Sequence, residues 1–203
     1  MAHERAGLVA LESDLIDVNA VLAAYYDLTP DPSNPDQKVV FGTSGHRGSS
    51  LDTAFNDLHI AATTQAIVEY RAVQGVSGPL FIGKDTHALS LPAWRTAIEV
   101  LVANGVAVFA EREDEYTPTP AVSRAIIRYN REHPKQVADG IVVTPSHNPP
   151  RDGGFKYNPP TGGPADTDAT KWIADRANAL MASPAEIRRK PYEKTVSGVT
   201  RFD

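Results

Sequence analysis

An α/β fold is predicted for this chain: a three-layer α/β/α sandwich around a mostly parallel, mixed sheet. Three observations predict it. Short strand-type runs recur at Pro79–Gly83, Val106–Ala110 and Asp139–Thr144. Segments of helical periodicity lie between them, and the Ile141-Val-Val143 core of the last run reads as a buried strand. Strands that alternate with helices in this way call for a largely parallel sheet with helices on both faces.

Each element has its own local reason. Residues 8–28 carry Leu8, Leu11, Leu15, Val18, Val21, Leu22 and Tyr25 near helical spacing, which predicts an amphipathic helix. Three prolines in the eight residues Thr29–Asp36 end it and form a linker. Lys38–Phe41 reads as a short strand leading into a glycine-rich loop, Gly42–Ser49. Residues 53–74 read as a helix that buries Phe55, Leu58, Ile60, Ala61, Ile67, Val68 and Tyr70. The helix Leu91–Ala103 is stopped by Asn104-Gly105. A charged turn, Glu111–Glu115, and a Thr117-Pro-Thr-Pro120 opening precede the helix 121–131. Asp152-Gly-Gly154 reads as a turn, Asp166–Met181 as the final helix, and the residues from Ser183 onward as a weakly patterned polar tail. The expected organisation is an N-terminal helix with its linker over residues 1–37, then one α/β/α domain over residues 38–203.

Composition excludes several classes of function. The net charge is −5 and no basic stripe is present, which argues against nucleic acid as a partner. There is no cysteine, so disulfides, thiolate metal sites and cysteine nucleophiles are ruled out, as befits a reducing compartment. No apolar run approaches the ~20 residues of a membrane span, and the first residues lack the apolar region of a secretory signal. The expectation is a cytoplasmic protein with no membrane partner.

The most informative segment is Gly140-Ile-Val-Val-Thr-Pro-Ser-His-Asn-Pro-Pro-Arg-Asp-Gly-Gly-Phe-Lys156. A strand runs into a loop in which Pro145, Pro149 and Pro150 fix φ and remove N–H donors. Ser146 is thereby displayed at the C-terminal end of a strand, where α/β proteins place their chemistry. From the residues alone, a functional serine and an incidental serine in a proline-rich turn weigh about equally.

Thr144–Pro150 followed by Asp152–Lys156 resembles the phosphoserine loop of the α-D-phosphohexomutases, and within them the bacterial-type phosphoglucomutases. Phe41-Gly-Thr-Ser-Gly-His-Arg-Gly-Ser49 is similar to the Thr-Ser-Gly-x-Arg-Gly signature near that family's N-terminus. The resemblance runs from near residue 10 to the end and covers only the first, phosphoserine-bearing domain of the family's four. It implies a phosphoglucomutase interconverting glucose 1-phosphate and glucose 6-phosphate through a phosphoserine and a glucose 1,6-bisphosphate intermediate. It also implies that this domain is inactive without the others.

Carried over by that resemblance, Ser146 is the phosphoryl carrier, Lys156 the acid/base group and Arg47 a stabiliser of the transferring group. A phosphoserine brings about −1.5 to −2 charges that need counter-charge and donors. The planar fork of Arg47 suits bidentate phosphate binding. Gly45 and its neighbouring glycines let backbone N–H groups approach an anion, with Thr43 and Ser44 adding hydroxyls. His147 is the second candidate for the proton role, with orienting or phosphate contact the favoured part, and Asn148 is placed against substrate or across the loop. Phosphates near Lys156 are expected to raise its pKa, which suits a general acid.

A phosphoryl oxygen on Ser146 would be one ligand to Mg²⁺, shared with a second domain whose Asp-x-Asp-x-Asp loop this chain does not contain. Glucose 1,6-bisphosphate is the implied activator, and the remaining mutase domains and a hexose phosphate are the implied partners. Two alternatives stay open: a phosphohexomutase for mannose or glucosamine phosphates, and a non-catalytic phosphate-binding or interaction domain.

Other features read as structural. Asp166 and Asp168 have cation-site spacing but precede a helix, where Asp is a favoured cap. Gly83-Lys-Asp-Thr-His87 is similar to a family segment that more often ends in arginine, and Asp85 there reads as structural. His59 and His133 read as helix-surface residues, and Trp94 and Trp172 as packing.

Overall fold

The apolar runs pair into a single mixed sheet. A computed structural model describes residues 5–42, 45–111 and 115–202. Among these, the strands are β1 (His46–Ser49), β2 (Leu80–Lys84), β3 (Val108–Glu111), β4 (Asp139–Val143), β5 (Asp152–Asn158) and β6 (Val199–Phe202). Their order across the sheet is β1-β5-β4-β2-β3-β6. β4, β2, β3 and β6 run parallel, whereas β5 is antiparallel to both β4 and β1. The helices are α1 (Val18–Asp27), α2 (Asp57–Val73), α3 (Ser90–Ala103), α4 (Thr119–Glu132), α5 (Thr167–Ala182) and the single turn α6 (Tyr192–Thr195).

Period-2 alternation divides the core between the two faces of the sheet. Leu80, Ile82, Ile141, Val143, Phe155 and Tyr157 pack in one cluster with α1, α2, α3 and α5. Phe81 and Val142 pack on the other face with Val122 and Ile126 of α4. α2 lies deepest: its residues 59–67 are all buried, because α3 and α5 both pack on it. α3 ends as expected. Gly105 takes a left-handed φ of 74°, and the Val106 N–H reaches back to the Leu101 carbonyl at 3.0 Å. This α/β/α architecture is the predicted one. None of the described helices is long and apolar enough to cross a membrane.

Several elements differ from the sequence expectation. Of residues 8–28 only Val18–Asp27 form an α-helix, with Asp17 capping it by accepting from the Ala20 N–H at 3.0 Å. Leu8, Leu11 and Leu15 stay exposed, so the apolar spacing there finds no surface to pack on. Lys38–Phe41 is not a strand. The Asn178 side chain bonds both the N–H and the C=O of Val39, in the place a strand neighbour would take. The second half of the expected Gly42–Ser49 loop is β1 instead. Asp152–Gly154 is the start of β5, not a turn, and the polar tail returns to the sheet as β6.

His59 is also corrected. It is fully buried, its Nδ1 accepting from the Asn56 N–H at 3.1 Å and its Nε2 donating to the Gln37 carbonyl at 2.8 Å. His46 stacks between it and Phe55, with ring centroids 5.3 Å and 5.7 Å away. Burial, then the neighbouring His59, pushes the His46 pKa down to about 3.

The folded His46 ring therefore stays neutral down to about pH 3, whereas the unfolded chain protonates it near the ordinary 6.5. Its contribution to stability is complete above about pH 6.5 and is lost as pH falls toward 3. Urea unfolding of His46→Phe is expected to show a shallower acid dependence between these limits. The slope should be lower by up to ~1.4 kcal/mol per pH unit. An unchanged slope would contradict this assignment.

Candidate active site

The site is built by strand register. Arg47 on β1 is paired with Gly154 on β5, and Lys156 on β5 is paired with Val142 on β4. Paired residues share a face and alternate residues do too, so Arg47 and Lys156 emerge together on the α4 side of the sheet. Their neighbours His46 and Phe155 turn to the opposite face and enter the core.

Gly154 lies opposite Arg47 and two residues before Lys156, and its missing side chain makes room for the loop after β4. A Cβ there would stand 2.2 Å from the Thr144 carbonyl oxygen and 2.4 Å from the Pro145 Cα. The loop Thr144–Arg151 thus folds back over β5 and brings the Ser146 segment to the Arg47–Lys156 face. Gly45 closes the other side. Its φ is 140°, its N–H donates to the Phe41 carbonyl at 2.7 Å, and a Cβ would stand 2.6 Å from Lys156 Cγ. Only glycine fits that conformation and that space.

Ser146 is exposed and left-handed, with φ 69°. This is an uncommon conformation for a residue with a Cβ, and it persists only where the surroundings hold it. The Ser146 N–H donates to Thr144 Oγ1 at 2.9 Å, and Asn148 Nδ2 donates to Asp152 Oδ2 at 3.0 Å. Asn148 is therefore braced within the loop. His147 stands exposed beside Ser146.

Asp85 is held within its own loop. It follows β2, and its carboxylate accepts from Ser90 Oγ at 2.5 Å and from the His87 N–H at 3.0 Å, and lies 2.9 Å from His87 Nδ1. Burial alone would raise its pKa. Hydrogen bonds from Ser90, Thr144 and the His87 backbone outweigh that and hold it below the usual value. Its charge is also felt by Lys156. The only sequence signal for this was an Asp-x-His placed directly after a strand.

The Lys156 amine differs from expectation in the unmodified protein. Burial, then the Arg47 charge, lowers its pKa, and Asp85 opposes them only in part. Two cations emerge on one face, and among the described residues Asp85 is the carboxylate felt by Lys156, an arrangement that favours an added anion. Thr43 and Ser44 lie outside the described residues. Asp166 is the helix cap that its position implied, accepting from the Ala169 N–H at 2.9 Å. Among the described residues, no three His, Asp or Glu side chains gather as a cation site.

Comparison with known proteins gives this arrangement a context. Residues 38–183 match the family described as phosphoglucomutase/phosphomannomutase, alpha/beta/alpha domain I. A phosphoglucomutase of Komagataeibacter xylinus is 55% identical over 187 residues, covering 92% of this chain and 34% of that protein. A phosphoglucosamine mutase of Prochlorococcus marinus is 35% identical over 60% of this chain and 24% of its own length. The crystal structure of a putative phosphomannomutase from Thermus thermophilus superposes with a TM-score of 0.61 at 27% identity, covering 73% of this chain and 30% of that one. The open form of the phosphoglucomutase parafusin from Paramecium gives 0.62 at 28% identity, covering 74% of this chain and 26% of that one. The chain therefore spans about a third or less of the length of these relatives.

Two outcomes are expected from this geometry. The Lys156 amine should titrate below exposed lysines, with Arg47→Gln moving it up and Asp85→Asn moving it further down, as read by NMR of the Nζ resonance. Ser146→Gly should be more stable than Ser146→Ala by about 1 kcal/mol, since only glycine adopts this φ without strain. Equal denaturation midpoints for the two variants would contradict the strained loop.

Proposed function

The chain belongs to the phosphoglucomutase/phosphomannomutase family as an α/β/α domain I, and from that membership we propose that it is the phosphoryl-carrying domain of a phosphoglucomutase. The observation that carries this reading is the start of the Ser146 loop, Thr144–Pro145, seated on Gly154 on the face where Arg47 and Lys156 emerge. The 55% identity with a phosphoglucomutase supports glucose phosphates over mannose or glucosamine phosphates as substrates. The domain is proposed to occupy residues 38–203, with residues 1–37 as a separate N-terminal segment.

In the proposed reaction, phosphorylated Ser146 transfers its phosphoryl group to a hydroxyl of glucose 1-phosphate. The Oγ–P bond breaks and a sugar O–P bond forms as the attacking hydroxyl releases its proton to solvent, giving glucose 1,6-bisphosphate. The bisphosphate turns over and returns its other phosphoryl group to Ser146, and the departing sugar oxygen takes a proton from solvent, releasing glucose 6-phosphate. Arg47 offsets charge on the phosphoryl oxygens during both transfers.

Lys156 handles the serine proton. A phosphoryl group on Ser146 raises the Lys156 pKa, countering burial and Arg47, and keeps the amine charged. As that group leaves, the lowering influences seen in the unmodified site take over. The amine then gives its proton to the departing Oγ, and takes it back when the serine attacks the bisphosphate. His147 and Asn148 are proposed to contact phosphate or sugar, together with the Thr43–Gly45 loop.

Mg²⁺ is the proposed cation, and when bound it supplies charge neutralisation at the transferring group. The described residues do not form a self-sufficient cation site, so this chain contributes one ligand, a phosphoryl oxygen on Ser146. The other ligands would come from a second domain. Glucose 1,6-bisphosphate would act as activator by rephosphorylating Ser146.

The intact protein, containing the remaining mutase domains, is expected to convert glucose 1-phosphate to glucose 6-phosphate in a coupled assay with Mg²⁺ and bisphosphate. Ser146→Ala should lower kcat by at least about 10³-fold, in line with loss of an essential nucleophile. Residues 1–203 alone should give no turnover. Full activity in Ser146→Ala would eliminate the phosphoserine reading, and turnover by residues 1–203 alone would eliminate the shared active site.

A further inference from the structure

His87 lies outside the groups assigned above, yet its ring faces the Ser146 loop. Nδ1 is 2.9 Å from Asp85 Oδ2, and Nε2 is 3.4 Å from the backbone carbonyl of Asn148, a residue 61 positions further along the chain. Both partners are oxygens that only accept, so each contact is a hydrogen bond when its ring nitrogen carries a proton, and both are made at once when both nitrogens do. Asp85 is itself fixed by Ser90 Oγ and the His87 N–H.

The same carboxylate reaches the loop by a second route. Thr144 helps to hold the Asp85 pKa down, and Thr144 Oγ1 accepts the Ser146 N–H at 2.9 Å. Two arms therefore run from Asp85 to the loop. One ends at the N–H of Ser146 and the other, through His87, at the carbonyl of Asn148. They hold the chain on either side of the left-handed Ser146.

We infer that His87 is a positioning residue, which, anchored on Asp85, clamps the Asn148 carbonyl and holds the turn that presents Ser146. The inference rests on the phosphoserine reading for its catalytic consequence, but the clamp is a property of the loop and is measured separately. Ser146 needs a clamp because its φ of 69° is disfavoured for a residue with a Cβ. If Asn148 were released, the turn would relax toward conformations that no longer hold Ser146 on the face where Arg47 and Lys156 emerge. A 1 Å displacement of a reacting group is enough to cost orders of magnitude in rate.

Amide hydrogen exchange in the intact protein tests the clamp directly. In His87→Phe, which keeps a ring but has no donor, amides of residues 146–152 are expected to exchange about tenfold faster. That is the scale of one lost hydrogen bond. Amides of β2, β4 and α5 should be unchanged. The kcat should fall by about tenfold or more with KM nearly constant, and His87→Arg, which restores donors toward both oxygens, should recover most of the loss.

Unchanged loop exchange in His87→Phe, or faster exchange spread evenly over the whole domain, would overturn the clamp. Should His87→Phe not fold, His87→Asn gives the same test, since its short amide reaches Asp85 but not Asn148. The Ser146→Ala assay separates the two ideas. An active Ser146→Ala removes the phosphoserine reading and leaves the exchange result standing on its own.

Discussion

Gly154 faces Arg47 across the β1–β5 pair, and the carbonyl of Thr144 occupies the space that its Cβ would fill. The rest of the site depends on that close approach. Any side chain at residue 154 would have to displace backbone, not the mobile end of another side chain. The loop bearing Ser146 would then lift away from the face on which Arg47 and Lys156 emerge. A stiff, proline-bounded loop supplies the shape, but an absent side chain on the next strand decides where that shape comes to rest.

Alternation along two short strands separates chemistry from structure. On β1, Arg47 faces the loop while His46 enters the core beside Phe55 and His59. On β5, Lys156 faces the loop while Phe155 and Tyr157 are buried. A one-residue slip of either strand would exchange these sets, placing a guanidinium or an ammonium in the core. The packing of His46 and Phe155 therefore also fixes the position of the two cations.

The electrostatics of the site are those of a place prepared for an anion. Burial and Arg47 disfavour the charged form of Lys156, and Asp85 relieves this in part. Asp85 is also tied to the loop through His87, and Thr144, which receives the Ser146 N–H, helps to hold its pKa down. One carboxylate at the end of β2 thus links the charge balance of the site to the conformation of the segment carrying the serine.

Much of this was legible in the chain. Periodicity identified β2, β4 and helices α2 to α5, because each of those signals lies within a few neighbouring residues. The prolines flanking Ser146 marked a stiff loop for the same local reason, and the two motif blocks carried the family resemblance. Position in space was not legible. Leu8, Leu11 and Leu15 have helical spacing but stay exposed, because nothing in the tertiary structure covers them. Asp152–Gly154 reads as a turn by composition and becomes a strand because β1 and β4 flank it. His59 looks like a surface residue until α2 is packed beneath its neighbours.

The sequence by itself determined the alternation of strands and helices, the α/β/α class and the presence of a displayed serine. The tertiary structure alone decided which cations emerge on the face where that serine's loop folds, and that Asp85 and His87 brace the loop. Secondary structure follows from local backbone and side-chain preferences. Register, sheet face and the grip of His87 on Asn148 follow from contacts between residues far apart in the chain, to which no local pattern is bound.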